Sequence, residues 1–211
     1  MPPTASRRPG RPPAAKADDT RKRILHAARQ VFSERGYEGA TFQAIAARAD
    51  LTRPAINHYF SSKRLLYREV VNETSKLVVA ASIERAELET TLMARLTAFI
   101  SAAVRANSEN PSASAFLITN VLESQRHPEL STAENDTVRI SREFLIRAVN
   151  DAIERGEITP DIDASALVET LLVVLCGVGF YAGYVRSYEH LLAVTDVLRQ
   201  LLEGALWRPK A

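Results

Sequence analysis

Cysteine occurs once, at Cys176, so no intrachain disulfide can form and a reducing, cytoplasmic setting is expected. The four histidines are dispersed, without the spacing of metal ligands. There is no glycine-rich phosphate loop and no assignable Ser, His and Asp set. These absences point away from an enzyme: no catalytic residue, cofactor or metal is expected. Strand-like alternation is missing over useful lengths, which excludes a sheet as the organising element. The N-terminus, MPPTASRRPGRPPAAKA, has no apolar core and is not a secretory signal. The most apolar run, Thr170–Val185, has 16 uncharged residues including three glycines. It falls short of the ~20 residues that span a bilayer, so a buried helix rather than a membrane partner is expected.

What is present is apolar residue in quantity, 46% of 211, enough for one domain or two small ones. Charge is unevenly spread. Residues 1–70 hold 14 Lys and Arg against 6 Asp and Glu, whereas residues 71–211 hold 13 against 19. A basic front and an acidic rear suggest that the front meets a polyanion, although a solvated charged surface gives the same totals.

Helical periodicity runs almost throughout. Residues 1–17, rich in Pro, Arg and Ala, read as a disordered basic arm. A first helix is expected over about 19–35, with Ile24, Leu25, Ala28, Val31 and Phe32 on one stripe and Gly36 as its C-terminal cap. Further helices are expected at 42–49, 52–60, 62–85, 90–107, 111–124, 131–156, 164–185 and 187–205. That makes nine helices and an all-α fold. A capping box at Ser131-x-x-Glu134 opens the seventh.

The stretch TFQAIAARADLTRPAINHYF, residues 41–60, has the pattern of a helix-turn-helix. Phe42, Ile45 and Ala46 give the first short helix a buried face, Ile56 and Phe60 do so for the second, and Leu51 plugs the turn. Thr52 as N-cap places Pro54 in the first turn, where a missing N–H costs nothing. The exposed tip then carries Thr52, Arg53, Ala55, Asn57 and His58. Arg suits guanine, Asn suits adenine and a small methyl suits thymine in a major groove. Taken singly each residue is ordinary, and the joint arrangement carries the signal. Lys63 would open the next helix, where a phosphate can meet its ammonium and free backbone N–H groups.

Residues 20–70 resemble the DNA-binding domain of the TetR family of bacterial transcriptional regulators. The shared residues are an Ile-Leu-x-Ala-Ala start, Gly36-Tyr37, Thr41, Ile45-Ala46, Tyr59-Phe60 and Lys63. The resemblance implies an N-terminal three-helix domain, residues 18–68, and a C-terminal helical bundle for ligand binding and dimerisation, residues 69–211. It implies that Thr41 and Gln43 meet the backbone or an outer base of double-stranded DNA. Arg53, Pro54, Ala55, Asn57 and His58 would enter the groove, and Tyr59 and Lys63 would touch phosphates. Two positions depart from the family: Asp50 stands where glycine is frequent in the turn, and Asn57 where tyrosine is frequent. Asp tolerates a left-handed backbone better than most residues, so the turn can survive. Arg8 and Arg11 of the arm either enter a minor groove or attract DNA diffusely.

In the rear, helix 164–185 is apolar nearly all round, and the last helix carries a stripe of leucines. A homodimer is expected to bury them in a four-helix interface through Leu171, Val178, Gly179, Leu191, Leu198 and Leu202. The other reading is burial within a single bundle. The resemblance implies the same homodimer, reading a palindrome. It also implies a small apolar effector held by Phe116, Phe144, Cys176 and Phe180, with Arg126 and His127 as polar contacts. The expected function is a ligand-responsive transcriptional repressor; a DNA-binding dimer without an effector is the alternative.

Overall fold

A computed structural model describes residues 13–130, 132, 136–159, 161–185 and 187–204, with side-chain surroundings from Ala17 onward. The described residues form nine helices and no strand. They are α1 (Pro13–Gly39), α2 (Phe42–Arg48), α3 (Arg53–Tyr59), α4 (63–86), α5 (Leu92–Glu109), α6 (Ala113–Arg126), α7 (Thr137–Glu154), α8 (Ala164–Tyr184) and α9 (Tyr188–Leu202). A 3-10 turn, Pro128–Leu130, follows α6. Arg8, Arg11, Ser131 and Glu134 lie outside the described residues. Helix α7 instead starts after Asp136, whose carboxylate accepts the Arg139 N–H at 3.0 Å.

The front core is built by the stripe that the sequence marks on α1. Ile24, Leu25, Ala28, Val31 and Phe32 are buried with Ile45, Ala46, Ile56 and Phe60. Tyr67, Val70 and Val71 of α4 close it, and Phe116 and Leu130 enter from the rear half. Phe32 meets Tyr67 edge-on at 4.8 Å, and Phe116 sits 5.5 Å from the same ring. Burial pushes the Tyr67 hydroxyl pKa up. The two halves of the chain therefore share apolar surface.

Helix α1 is interrupted at Gly36, with φ of 68°. A Cβ there would lie 2.7 Å from Glu123 Oε1, so the position needs glycine for both backbone and space. The Glu123 carboxylate, buried on α6, accepts the Tyr37 N–H at 3.3 Å. At this kink α1 ends against the rear half.

Helix α4 is continuous over 63–86 but changes its winding. Lys63–Ser75 is α-helical, Lys76–Ala80 is π-helical, and Ala81–Ala86 is α-helical again. Buried hydroxyls flank the π segment: Thr74 Oγ1 donates to Val70 O and Ser82 Oγ to Val78 O, each at 2.6 Å. Such bonds to the carbonyl four residues back bend helices.

The rear core joins α5, α7, α8 and α9 through Leu96, Phe99, Leu145, Val149, Leu171, Leu172 and Leu191. Helix α8 is long and apolar enough to cross a membrane by composition, with mean hydropathy 1.9. One face is buried in this core through Val168, Leu171, Leu172, Leu175 and Ala182. Gly183 allows α8 to approach α6, since a Cβ there would come within 3.0 Å of Ala115.

Candidate DNA-reading face and ligand cavity

Thr41 caps α2, its hydroxyl accepting the Ala44 N–H at 3.1 Å. The turn that follows closes by two backbone bonds, Leu51 N–H to Ala46 O at 2.9 Å and Asp50 N–H to Ala47 O at 3.3 Å. This is the Schellman pattern, with Asp50 in its left-handed position at φ 53°. Asp50 fills the role expected of it in place of glycine. The turn has a further support, Arg23 of α1, whose guanidinium donates to Ala49 O at 2.7 Å. It adds a positive charge at the C-terminal end of α2.

Thr52 caps α3, and Pro54 occupies its first turn. Ile56 is buried and Leu51 half-buried beneath, so α3 is held by one face. Arg53, Asn57 and His58 stand on the other, exposed, without a hydrogen bond or ion pair among the described residues. Thr41, Gln43, Thr52 and Pro54 are exposed beside them, and Ala55 and Tyr59 are half-buried. No acidic residue occupies the first turn of α2, α3 or α4. Arg53 and Lys63 instead open α3 and α4, where a cation opposes the helix macrodipole. That choice costs stability in the free chain and favours an anion arriving from outside.

Lys63, expected at a phosphate, has partners within the free chain. Its ammonium donates to Tyr37 O at 2.8 Å and Glu38 O at 3.3 Å and lies 4.4 Å from the centre of the Tyr37 ring. It caps the end of α1 and is occupied within the chain. The adjacent Arg64 is exposed, with no hydrogen bond or ion pair among the described residues. The sequence reading passed over it. Arg48 is also occupied, by a two-pronged bond to Glu34 at 2.7 and 2.8 Å that holds the Glu34 carboxyl below the usual range.

In the rear half a cavity of about 100 Å³ lies between α4, α5, α6, α7 and α8. Val78 and Val79 of the π segment form part of its wall, facing Phe99, Leu117, Leu172 and Leu175. Ser114, Thr137 and Ser141 supply hydroxyl-bearing side chains. Cys176 is the one proposed ligand residue on this wall; burial pushes its thiol pKa up. The others lie elsewhere. Phe116 is spent on the front core and Phe144 stacks on Phe99 at 5.6 Å. Phe180 is 60% exposed on the outer side of α8, and Arg126 is exposed. His127 sits at the α1 junction, 3.5 Å from Glu38 and Glu129 and 3.8 Å from Glu123.

The residues expected at a dimer interface are partly engaged within the chain itself. Leu171 and Leu191 are buried in the chain's own core, and Val178 and Leu198 pack against it. Gly179 faces Ile118 at 4.0 Å, and Leu202 is half-buried. The uncovered apolar stripe is another one: Val173, Phe180 and Tyr184 on α8, with Val194, Val197 and Leu201 on α9.

Comparison with known proteins agrees with this architecture. Residues 24–70 match the family model described as bacterial regulatory proteins, tetR family. Residues 89–177 match the tetracyclin repressor-like C-terminal domain. The chain belongs to the TetR family of transcriptional regulators. It is 27% identical over 162 residues to the HTH-type transcriptional regulator UidR of Escherichia coli strain K12, covering 77% of this chain and 81% of UidR. Salmonella enterica GusR superposes with a TM-score of 0.62 at 26% identity, over 88% of this chain and 94% of GusR. Bacillus subtilis FadR, solved in complex with stearoyl-CoA, superposes with a TM-score of 0.69 at 19% identity, over 86% and 96% of the two chains. In this TetR-family DNA-binding regulator, α2 and α3 are the helix-turn-helix.

Proposed function

We propose that this chain is a cytoplasmic transcriptional repressor that binds a palindromic duplex as a homodimer and leaves it when a small molecule fills the rear cavity. The observation that carries the DNA half is the outward, unoccupied set Arg53, Asn57 and His58 on a proline-fronted helix. Arg53 reads guanine, Asn57 reads adenine, and Thr41, Gln43, Tyr59 and the exposed Arg64 hold phosphates. The chain acts by binding rather than by catalysis, as its relatives' names as regulators suggest.

The homodimer reading rests on the uncovered stripe Val173, Phe180, Tyr184, Val194, Val197 and Leu201. Exposed apolar side chains spaced along two helices are costly in water and suit a second copy of the same two helices. The effector reading rests on the cavity wall. Val78 and Val79 belong to the same helix that carries Tyr67 and Val70 into the front core. Short π segments recur at functional positions in helices. Filling the cavity shifts the winding at Lys76–Ala80 and so tilts the reading helices of the two protomers apart. Effector coupling of about 1–3 kcal/mol is the usual scale.

Selection of bound duplexes from a random pool tests the reading. A palindrome with half-sites spaced by whole helical turns is expected. No enrichment over the starting pool would overturn it.

A further inference from the structure

We infer that the effector is an uncharged molecule, mainly hydrocarbon, with one hydroxyl, carbonyl or ester oxygen directed at α7; this rests on the ligand-responsive reading above. Among the described residues, the wall of the cavity contains no Lys, Arg, His, Asp or Glu. A carboxylate or phosphate entering it would lose its water without gaining a counter-charge, a large penalty in an apolar site. The positive end of a helix could compensate, and α7 begins at the cavity with Thr137. That end is already filled, because Asp136 caps it through the Arg139 N–H at 3.0 Å. An anionic ligand would meet another carboxylate there.

The neighbouring cations are engaged as well. Arg142 grips Glu169 with two bonds, at 2.7 and 3.3 Å. Arg139 is paired with Glu143. Both guanidiniums at this end of the bundle therefore already face carboxylates. The neutral polar groups have an ordered arrangement instead. Thr137 and Ser141 stand one helical turn apart on α7, both buried and both on the cavity wall. Residues four apart on a helix lie ~5–6 Å from one another, so two hydroxyls can address one oxygen of a ligand. Ser114 faces them from α6, its backbone N–H fixed by Asn107 Oδ1 at 3.3 Å. Asn107 in turn donates to Ala182 O at 3.2 Å, tying the wall of α8 to α5. This cavity differs in kind from what a coenzyme A head group needs. The likeness to FadR, at 19% identity, is one of fold.

The test compares hexan-1-ol, hexanoate and hexanoyl-CoA as probes on the full chain, reading thermal midpoint and affinity for the selected palindrome. Hexan-1-ol is expected to raise the midpoint and to bind at least about tenfold more tightly than hexanoate. The double variant Thr137→Val, Ser141→Ala removes both hydroxyls without adding bulk to the cavity and should bind hexan-1-ol no better than it binds hexane. Equal or tighter binding of hexanoate or hexanoyl-CoA overturns the proposal, and so does an unchanged preference in the double variant. If none of the three probes binds, the ligand class is wrong. The DNA-binding reading is decided separately, by whether the probe-free protein retains its palindrome.

Discussion

Glu123 on α6 accepts the backbone N–H of Tyr37 at 3.3 Å, immediately beyond the kink at Gly36. The bond joins a helix of the cavity wall to the end of α1, and a side chain at Gly36 would press on the same carboxylate. Gly36→Ala would place a methyl 2.7 Å from Glu123 Oε1 at a φ of 68°. A loss of about 1–3 kcal/mol in urea unfolding is expected. A loss below about 0.5 kcal/mol would show that the junction yields easily.

Arg53→Ala and Asn57→Ala should each relax sequence preference at one position of the half-site, costing about 1–3 kcal/mol of discrimination while leaving the thermal midpoint unchanged. Lys63→Met should behave in the opposite way. Its ammonium is already bonded to Tyr37 O and Glu38 O, so stability should fall more than the salt dependence of DNA binding. Arg64→Ala, removing an exposed cation, should lower the salt slope by about one. Titrations of the palindrome at several salt concentrations separate these outcomes.

Much of this front half is legible in the sequence because its signals are local. Thr41 and Thr52 as caps, Pro54 in a first turn and Asp50 at a left-handed corner each depend on neighbours a few residues away. The intrachain partners of Lys63, the carbonyls of Tyr37 and Glu38, are not legible locally because they lie 26 and 25 residues earlier. The rear half is legible only as helices. Helix α8 is apolar nearly all round, so periodicity cannot say whether Leu171 or Val173 faces inward, and packing against α5, α6 and α7 decides it. Phe116 and Phe144 were natural guesses for a ligand wall, but aromatic side chains also build cores, and both were used that way. Nothing local announces the π segment.

The outer stripe makes the dimer testable residue by residue. Val197 is 52% exposed and Phe180 60%. Val197→Glu or Phe180→Asp should leave folding of the single chain intact, shift sedimentation from dimer to monomer and abolish tight binding to the palindrome. Leu191, buried in the core of its own chain, serves as the control. Leu191→Ala should cost about 2–5 kcal/mol of stability. If Val197→Glu remained dimeric, another surface would have to mediate association.

Acid sensitivity has a specific source in the rear half. Glu157 accepts the Leu92 N–H at 2.8 Å and the Arg155 Nε–H at 2.6 Å. The Leu92 bond first, and Arg155 second, hold its carboxyl below the ordinary value of 4.5. A lowered folded-state pKa means that the stabilisation is complete above pH 4.5 and is lost as pH falls through the folded value. Glu157→Gln keeps an acceptor for Leu92 and cannot titrate, so its thermal midpoint should fall less steeply below that pH than the wild type's. Asp151, held low by Arg95, contributes to the same limb and should remain in the variant. Parallel curves for the two proteins would show that Glu157 titrates alike in the folded and unfolded chain.

The winding of α4 yields the sharpest test of coupling. A π turn holds one residue more than the α-helix can, so deleting one residue from Lys76–Ala80 lets the helix close in ordinary register with its ends little displaced. Lys76 is exposed, and its loss removes no core side chain. Val78 and Val79 would stay near the cavity, and Tyr67 and Val70 would stay in the front core. The deletion variant should fold and hold the palindrome as tightly as the wild type. Its response to a neutral effector should shrink from the usual fivefold or more to below about twofold, because the joint that could change winding is gone. A variant that still released DNA fully would show that the signal leaves the cavity by another route, with α6 and its Glu123 contact to Tyr37 the next to examine.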